Sequence, residues 1–284
     1  MADDAVQGAL NGLAMGWIYI LIAVGLSLIF GIMRIVQFAH GEIYMLGAYL
    51  SYYLTMSRAP LVLAIVVSMV GMGAAGYLLS RFFFRRLRDQ PHLSIVFSLG
   101  LLLILQTSAV IVFGLSELSL PRLSDTTITM FGLRIATERL IAVGISVVVM
   151  GAALLFLKRT RFGLALVACA QNREGAILQG IDPDKIAAIA MVMGCALAAA
   201  GGTVAGSILK LSPFMGGEAL SKGLVIVVLG GMGSLGGTVA AGLLIGLSDS
   251  LGQIYFGASI ASMVPLLLVI GLLLVKPNGL FGHA

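Results

Sequence analysis

Long stretches without a charged residue dominate this 284-residue sequence. They are the windows 5–33, 43–57, 59–80, 90–116, 140–157, 186–209, 223–248 and 250–275. Most exceed the roughly 20 apolar residues with which a helix crosses a ~30 Å hydrocarbon core. Strands of a lipid-facing barrel would alternate polar and apolar residues, and these windows do not. The sequence therefore predicts an all-α integral membrane protein, a polytopic bundle of about eight transmembrane helices with glycine-broken segments.

Composition excludes a separate soluble domain. Apolar residues make up 60% of the chain, charged residues only 10%, and the mean hydropathy is +1.09. A soluble domain needs more charge to cover its surface, so residues 1–284 are expected to form one transmembrane domain. The first window lacks a preceding basic region and is expected to stay as a span. Cys169 and Cys195 are too few for a disulfide framework or a zinc site. The basic residues flank apolar windows, which predicts lipid contact and no nucleic-acid partner.

Basic residues also predict the orientation. Two short basic segments, 81–88 and 158–185, are separated by two windows and should share one side, the cytoplasm by the positive-inside rule. The N-terminus and the polar segment 115–139 are then external. Several basic residues depart from the rule and are predicted outside: Arg58, Arg122, Arg134, Arg139, Lys210 and Lys222.

A short cytoplasmic helix is predicted between the fifth and sixth windows, over about 168–179. Gly180 suits a left-handed helix stop, and Asp182 suits the N-cap of the next span with Pro183 as its first residue. The helix mixes charge with apolar residues and is only weakly amphipathic. It could lie in the lipid interface, but its shortness favours docking of a protein partner.

The segment 31–42, GIMRIVQFAHGE, places ionisable residues between two apolar windows. Such groups near a bilayer are costly and usually face a cavity or each other. A half-helix starting near Gly41 would aim backbone amides at an anion. Alternatively, Arg34 marks a cytoplasmic turn and the next helix simply begins at the interface, which the spacing favours slightly. The pathway candidates here are Gln37, Phe38, His40, Gly41 and Glu42.

Glycine spacing carries two further predictions. Gly8, Gly12 and Gly16 recur every fourth residue, as in closely packed membrane helices. The stretch 230–237, GGMGSLGG, should instead break a helix, because each glycine costs about 1 kcal/mol against alanine in a helix interior. The break either lines a translocation pathway or is a turn between two short spans. Gly230, Gly231 and Gly233 are its pathway candidates.

Four ordered stretches resemble permeases of branched-chain amino acid importers of the LivH type. They are 25–49 (GLSLIFGIMRIVQFAHGEIYMLGAY, with Gln37 where the family has Asn), 168–181 (ACAQNREGAILQGI), 228–237 (VLGGMGSLGG) and 276–282 (KPNGLFG). Within the second stretch, Glu174 and Gly180 also match the loop by which permeases of ABC importers contact their ATPases, although Gly175 replaces an alanine. The resemblance implies that 168–181 is a coupling helix, with these contact residues: Gln171, Asn172, Arg173, Glu174, Ala176, Ile177, Leu178, Gly180 and Ile181.

The resemblance also implies partners and a location. The importer would contain a second, paralogous permease, two ATPase subunits and a periplasmic or extracellular solute-binding protein, in the cytoplasmic (inner) membrane of a bacterium. The sequence has no G-x-x-x-x-G-K-[ST] phosphate loop, so ATP and Mg²⁺ are expected on the ATPases and no cofactor or metal on this non-catalytic chain. The expected solutes are branched-chain or other hydrophobic amino acids; urea, short amides and aromatic acids are the alternatives.

Two interpretations from other classes compete with an importer. A proton-coupled secondary carrier could use His40 and Glu42 as a relay, but it would normally show two similar halves, which this sequence lacks. An intramembrane enzyme needs a catalytic constellation. The three histidines are far apart, and none lies in an H-E-x-x-H pattern.

Overall fold

The computed structural model describes residues 2–87, 90–120, 127–130, 133–276 and 279–281. Nearly all of them are helical, which confirms the predicted all-α membrane class. The helices are α1 Ala2–Met33, α2 His40–Met56, α3 Leu61–Leu79 with its π-helical extension Ser80–Phe84, α4 Arg85–Leu87, α5 Pro91–Phe113, α6 Thr137–Arg159, α7 Arg161–Gln171, α8 Arg173–Leu178, α9 Pro183–Ile208, α10 Met215–Gly230, α11 Leu235–Phe256, α12 Ala258–Ala261 and α13 Val264–Val275.

Six of the described helices are long and apolar enough to cross a membrane, against the eight windows counted in the sequence. The difference arises because charged residues do not mark the helix ends. Window 223–248 contains the end of α10, a turn and the start of α11, while Asp249, which bounds it, lies within α11. The α2 helix has only 17 residues, and α10 has 16.

The helices α1 and α9 form the centre of the bundle. Their apolar windows are 72% and 67% buried, whereas that of α5 is 11% buried, so α5 is peripheral. The predicted close packing of small residues is confirmed where α1 meets α11. A Cβ added to Gly12 would lie 2.7 Å from the Gly246 carbonyl oxygen, closer than any real side chain could sit. Small residues thus let the two backbones touch where lipid removes the hydrophobic drive for association.

The two basic segments lie at the same end of the bundle, as predicted. Arg85, from the first, forms an ion pair of 3.3 Å with Asp184, at the end of the second. We refer to this as the cytoplasmic end. At the opposite end Lys210 donates a hydrogen bond of 2.6 Å to Glu117, and this bond, together with the negative charge of the carboxylate, raises the pKa of Lys210. The strand-like bridge between Leu118 and Leu211 joins the same two loops.

The described part of the segment 115–139 contains two strands, where its turn residues predict a loop. Strand β1, Thr127–Met130, pairs antiparallel with β2, Leu133–Ala136, in a short hairpin before α6. Alternating threonine and aliphatic residues suit a strand, a pattern obscured by the neighbouring Ser, Asp and Pro. Arg122 lies outside the described residues, as do 277–278 and 282 of the last family stretch.

Candidate translocation and coupling sites

The chain between α6 and α9 forms two helices, so the single helix predicted over about 168–179 is wrong. The α7 helix ends at Gln171, and Asn172 is extended (φ −147°, ψ 99°) before α8 begins. The Asn172 side chain accepts a hydrogen bond of 2.9 Å from the Gly175 N–H and caps α8. Asparagine favours such local bonds over the helix interior, and this explains the break.

The predicted end of this segment is confirmed. Gly180 has φ +80°, the left-handed stop that favours glycine. Asp182 then caps α9 by accepting hydrogen bonds from the N–H groups of Asp184 and Lys185, and Pro183 is the first residue of the helix. The bond from Asp184 is the main reason why the pKa of Asp182 is lowered.

The short helix α8 presents a tip to the cytoplasmic side. Only Ala176 is buried, and it anchors the helix to the bundle. Leu178 is 85% exposed and Ile177 is 48% exposed, next to the exposed charges of Arg173 and Glu174. Gln171, Asn172 and Gly180 are exposed too, and Ile181 is half-buried. An exposed apolar tip flanked by both charges is the surface expected of a protein contact.

A cleft connects the base of α8 to the ends of several spans. It is lined in part by Met33, Ser80, Arg85, Cys169, Arg173 and Asp184. These residues come from α1, the π-helical extension of α3, α4, α7, α8 and α9. The exposed Arg85–Asp184 pair contributes little stability, but it joins the two cytoplasmic segments next to α8.

The helix α2 begins inside the membrane. The chain leaves α1 through Arg34 (φ +54°), and α2 starts at His40, next to the predicted Gly41. The His40 Nε2–H donates a 3.3 Å hydrogen bond to the carbonyl oxygen of Ile22. Ile22 lies about 16 Å along α1 from its cytoplasmic end, at 1.5 Å per residue. The interfacial start that the spacing favoured slightly is therefore not what is found; α2 starts at depth.

The polar residues at this helix start are enclosed. Gln37, His40 and Glu42 are completely buried. Within the described residues, both amide atoms of Gln37, Nδ1 of His40 and both carboxylate oxygens of Glu42 have no hydrogen-bond partner. Gly41 packs against the backbone of Gly216 at the start of α10, while Phe38 is half-buried. Unpaired buried polar groups cost about 1–3 kcal/mol each. Because these side chains are enclosed, they could contact a solute only if the enclosure opens.

The glycine stretch 230–237 is a turn between two helices, one of the two alternatives that the sequence left open. The α10 helix ends at Gly230, Gly231 and Gly233 have positive φ (+96° and +85°), and Ser234 caps α11 by accepting from the Gly237 N–H at 3.2 Å. A Cβ on Gly233 would lie 3.5 Å from Gly31, near the end of α1. The turn is therefore at the cytoplasmic end and not at mid-membrane.

The C-terminal residues bind to this turn. The N–H of Leu280 donates to the Leu229 carbonyl (2.9 Å), and that of Phe281 donates to the Gly230 carbonyl (3.2 Å). Leu280 and Phe281, from the last family stretch, therefore lie next to the first residues of the stretch 228–237.

An open cavity of about 690 Å³ lies beside the turn. Its lining includes Ser27, Arg34, Leu166, Gln171, Gly233 and Phe281. A residue predicted for coupling, Gln171, and one predicted for the pathway, Gly233, therefore border the same space. The pathway candidates around His40 lie elsewhere, deeper in the bundle.

The structure contains a charged cluster between α1, α10 and α11 that the sequence pattern does not predict. Lys222, predicted outside, lies on α10, and its Nζ donates to Asp249 Oδ1 on α11 at 2.7 Å. The Tyr19 hydroxyl donates to Asp249 Oδ2 at 3.3 Å. Lys222 and Asp249 bound the uncharged window 223–248, and that window folds back at its glycine turn. The glycine turn in the middle of this window reverses the chain and brings its two charged ends together. The glycine stretch was therefore the sequence signal from which this ion pair could have been predicted.

Comparison with known proteins decides the family. The profile of the family described as branched-chain amino acid transport system / permease component matches residues 8–273. The chain belongs to this family.

Its relatives include full-length permeases. The high-affinity branched-chain amino acid transport system permease protein LivH of Escherichia coli (strain K12) is 30% identical over 98% of this chain and 96% of its own length. BraD of Pseudomonas aeruginosa, described in the same words, is 31% identical with the same coverage. A solved structure, PsaBC from Streptococcus pneumoniae in complex with Fab, aligns with 98% of this chain at 12% identity and a TM-score of 0.49.

Membership in this permease family confirms the resemblance seen in the four stretches. It favours a transport permease over the secondary carrier and the intramembrane enzyme. Together with the six apolar helices, it makes the chain a multi-pass membrane protein.

Proposed function

We propose that this branched-chain-type permease is the translocation subunit of an ABC importer in a bacterial cytoplasmic membrane. Its partners are a second, paralogous permease, two ATPase subunits that hold ATP and Mg²⁺, and an external solute-binding protein. The observation that carries the proposal is the family match across residues 8–273, with relatives whose names specify high-affinity branched-chain amino acid transport.

The tip of α8 receives the ATPase in this proposal. Ile177 and Leu178 enter an apolar depression of the ATPase, while Arg173 and Glu174 pair with charges at its rim. The geometry supports this assignment because Leu178 is the most exposed large apolar residue of the cytoplasmic segment, at 85%. The short helix α8 is fixed at its two ends by the Asn172 cap and by Gly180. A displacement of α8 by the ATPase would therefore move the neighbouring helices with it.

Force from α8 reaches the spans by two routes. Gly180 and the Asp182 cap connect it directly to α9, which packs against α1, α2 and α3. Through α7 it reaches the cavity beside the glycine turn. A tilt of α9 would therefore move the enclosure of Gln37, His40 and Glu42, and exchange outward for inward access.

The proposed solute is a branched-chain or other hydrophobic amino acid, delivered by the external binding protein. Urea, short amides and aromatic acids are the competing solutes. ATP-driven uptake of labelled leucine, urea and phenylacetate by the complete importer in liposomes discriminates between them. We expect leucine uptake that needs both ATP and the binding protein. Uptake of urea or phenylacetate without leucine uptake would contradict the amino-acid assignment.

The coupling proposal is tested with Leu178→Ser in the same importer. Leu115→Ser is the matched control, because Leu115 is also exposed (68%) but lies at the opposite end of the bundle. We expect Leu178→Ser to weaken copurification of the ATPase, and Leu115→Ser to leave it unchanged. The simultaneous reversal Arg173→Glu and Glu174→Arg should act in the same direction. Normal assembly and normal uptake in both α8 variants would remove α8 from the mechanism.

A further inference from the structure

One face of α10 carries polar side chains at mid-membrane depth. Glu218, Ser221 and Lys222 lie within about one turn of each other on this helix, at positions that share a face. The depth follows from Tyr19, the central residue of the Ala5–Met33 span, which contacts Lys222 through Asp249. Charged groups at this depth are strongly disfavoured in contact with lipid, so protein or water must cover the face.

The cations and anions of this face are only partly matched. Both oxygens of Asp249 are occupied, one by Lys222 Nζ and the other by the Tyr19 hydroxyl. Lys222 keeps further N–H donors, and its side chain is 23% exposed. Glu218 is exposed, and it makes no hydrogen bond or ion pair with any residue that the structure describes. The face therefore offers an unpaired carboxylate one turn away from an ammonium with spare donors.

This pattern complements an α-amino acid, which carries an ammonium and a carboxylate on one carbon. We propose that the face formed by Glu218, Ser221 and Lys222 binds the translocating amino acid as a zwitterion. Glu218 accepts hydrogen bonds from the substrate ammonium, and Lys222 donates to the substrate carboxylate. The proposal rests on the proposed amino-acid importer and adds the residues that contact its solute.

The surroundings suit an aliphatic side chain. Phe214, 52% exposed, lies one turn before Glu218, and the half-buried Val225 lies close after Lys222. Each end of the polar stretch thus offers apolar contact. The second permease would complete the passage opposite this face, which accounts for its exposure in the isolated chain.

The existing ion pair keeps binding weak. The substrate carboxylate must share Lys222 with Asp249. Binding of the substrate therefore weakens the Lys222–Asp249 ion pair, and this loss offsets part of the attraction between Lys222 and the substrate. A translocation site has to release its solute, and such sharing serves that purpose. Urea carries neither charge and would gain nothing from this arrangement, so the site also predicts which class of solute passes.

Glu218→Gln tests the proposal in the complete importer, reconstituted in liposomes with its binding protein. Glu218 makes no hydrogen bond or ion pair with a described residue, so we expect a normal melting temperature and normal copurification of the second permease. Leucine uptake should fall about tenfold or more, because the loss of a charge-assisted hydrogen bond weakens binding by about that factor. The control is Glu117→Gln, another exposed carboxylate at the external end, which should transport as the wild type does.

Wild-type uptake by Glu218→Gln would overturn the proposal. So would loss of the second permease from the purified complex, because Glu218 would then be a subunit contact. If instead the wild-type importer itself takes up no leucine, the proposed function fails, and the two failures are distinguishable.

A second set of variants separates binding from a structural ion pair. Lys222→Met and Asp249→Asn each leave one buried charge unpaired and should lower the melting temperature. The double variant removes both charges and should recover most of that stability. We expect leucine uptake to stay low in the double variant, because the substrate carboxylate still lacks its cation. Wild-type uptake by the stable double variant would show that the pair only supports the fold.

Discussion

Replacing Gly12 by alanine tests the contact that holds α1 against α11. The new Cβ would lie 2.7 Å from the Gly246 carbonyl oxygen and 2.8 Å from Leu247 Cα, where ordinary contact begins at 3.4 Å. Both neighbours are backbone atoms and cannot rotate away, so the helices must separate by several tenths of an ångström. Overpacking of this kind costs about 1–3 kcal/mol. A separation of about 0.5–1 Å also forfeits a quarter to a half of each dispersion contact along the seam.

The higher helix propensity of alanine offsets part of this cost, by up to about 1 kcal/mol. An overpacking cost of about 1–3 kcal/mol less a propensity gain of about 1 kcal/mol leaves Gly12→Ala destabilised by up to about 2 kcal/mol, measured by reversible unfolding from mixed micelles. Gly16→Ala should cost less, because its Cβ would lie 3.1 Å from the Gly242 carbonyl oxygen.

The matched control is Gly151→Ala in α6, where the added methyl group meets nothing within 4 Å. Only the propensity gain remains there, so this variant should be neutral or slightly more stable. The reasoning is refuted if Gly12→Ala is as stable as Gly151→Ala, because backbone contact between α1 and α11 would then not limit the packing.

Three further predictions concern the candidate sites. Asn172→Ala should destabilise α8 by about 1 kcal/mol through loss of its cap and speed amide exchange at Gly175, whereas Asn172→Asp should retain the cap; equal exchange in both contradicts the capping role. Gly233→Ala places a side chain at φ +85° and should lower the melting temperature by the equivalent of about 1–2 kcal/mol, and an unchanged value would mean the turn relaxes without cost. Glu42→Gln should slow leucine uptake per folded complex if the enclosure opens during transport, and a destabilised variant with unchanged uptake would assign Glu42 to the fold alone.

Much of the fold could be predicted from the sequence because its signals are local. An apolar window long enough to cross the bilayer predicts a helix independently of the residues around it. Gly180, Asp182 and Pro183 likewise determine the backbone conformation at their own positions. The common side of the two basic segments also follows from counting spans between them. The Arg85–Asp184 ion pair confirms this count.

Two of the differences between prediction and structure share one physical cause, which is that contacts between distant residues override the local pattern. The uncharged windows predict that a charged residue ends a span, yet Asp249 lies within α11 because Lys222 and Tyr19 compensate its charge. The spacing slightly favours an interfacial position for His40, yet the His40 N–H donates a hydrogen bond to the Ile22 carbonyl oxygen at depth. The break at Asn172 is the exception. Asn172 is a local capping signal, and it could have been recognised from the sequence alone.

The central claim, that this permease is driven through α8, is tested most directly by a cross-link. Leu178→Cys places a reactive thiol at the tip of α8, and the native Cys169 and Cys195 are buried and should react little. A thiol-linked photo-cross-linker on this residue, in the assembled importer, should attach to an ATPase subunit, and the same reagent on Leu115→Cys should not. Attachment of Leu178→Cys to lipid alone, or equal attachment from Leu115→Cys, would contradict the account.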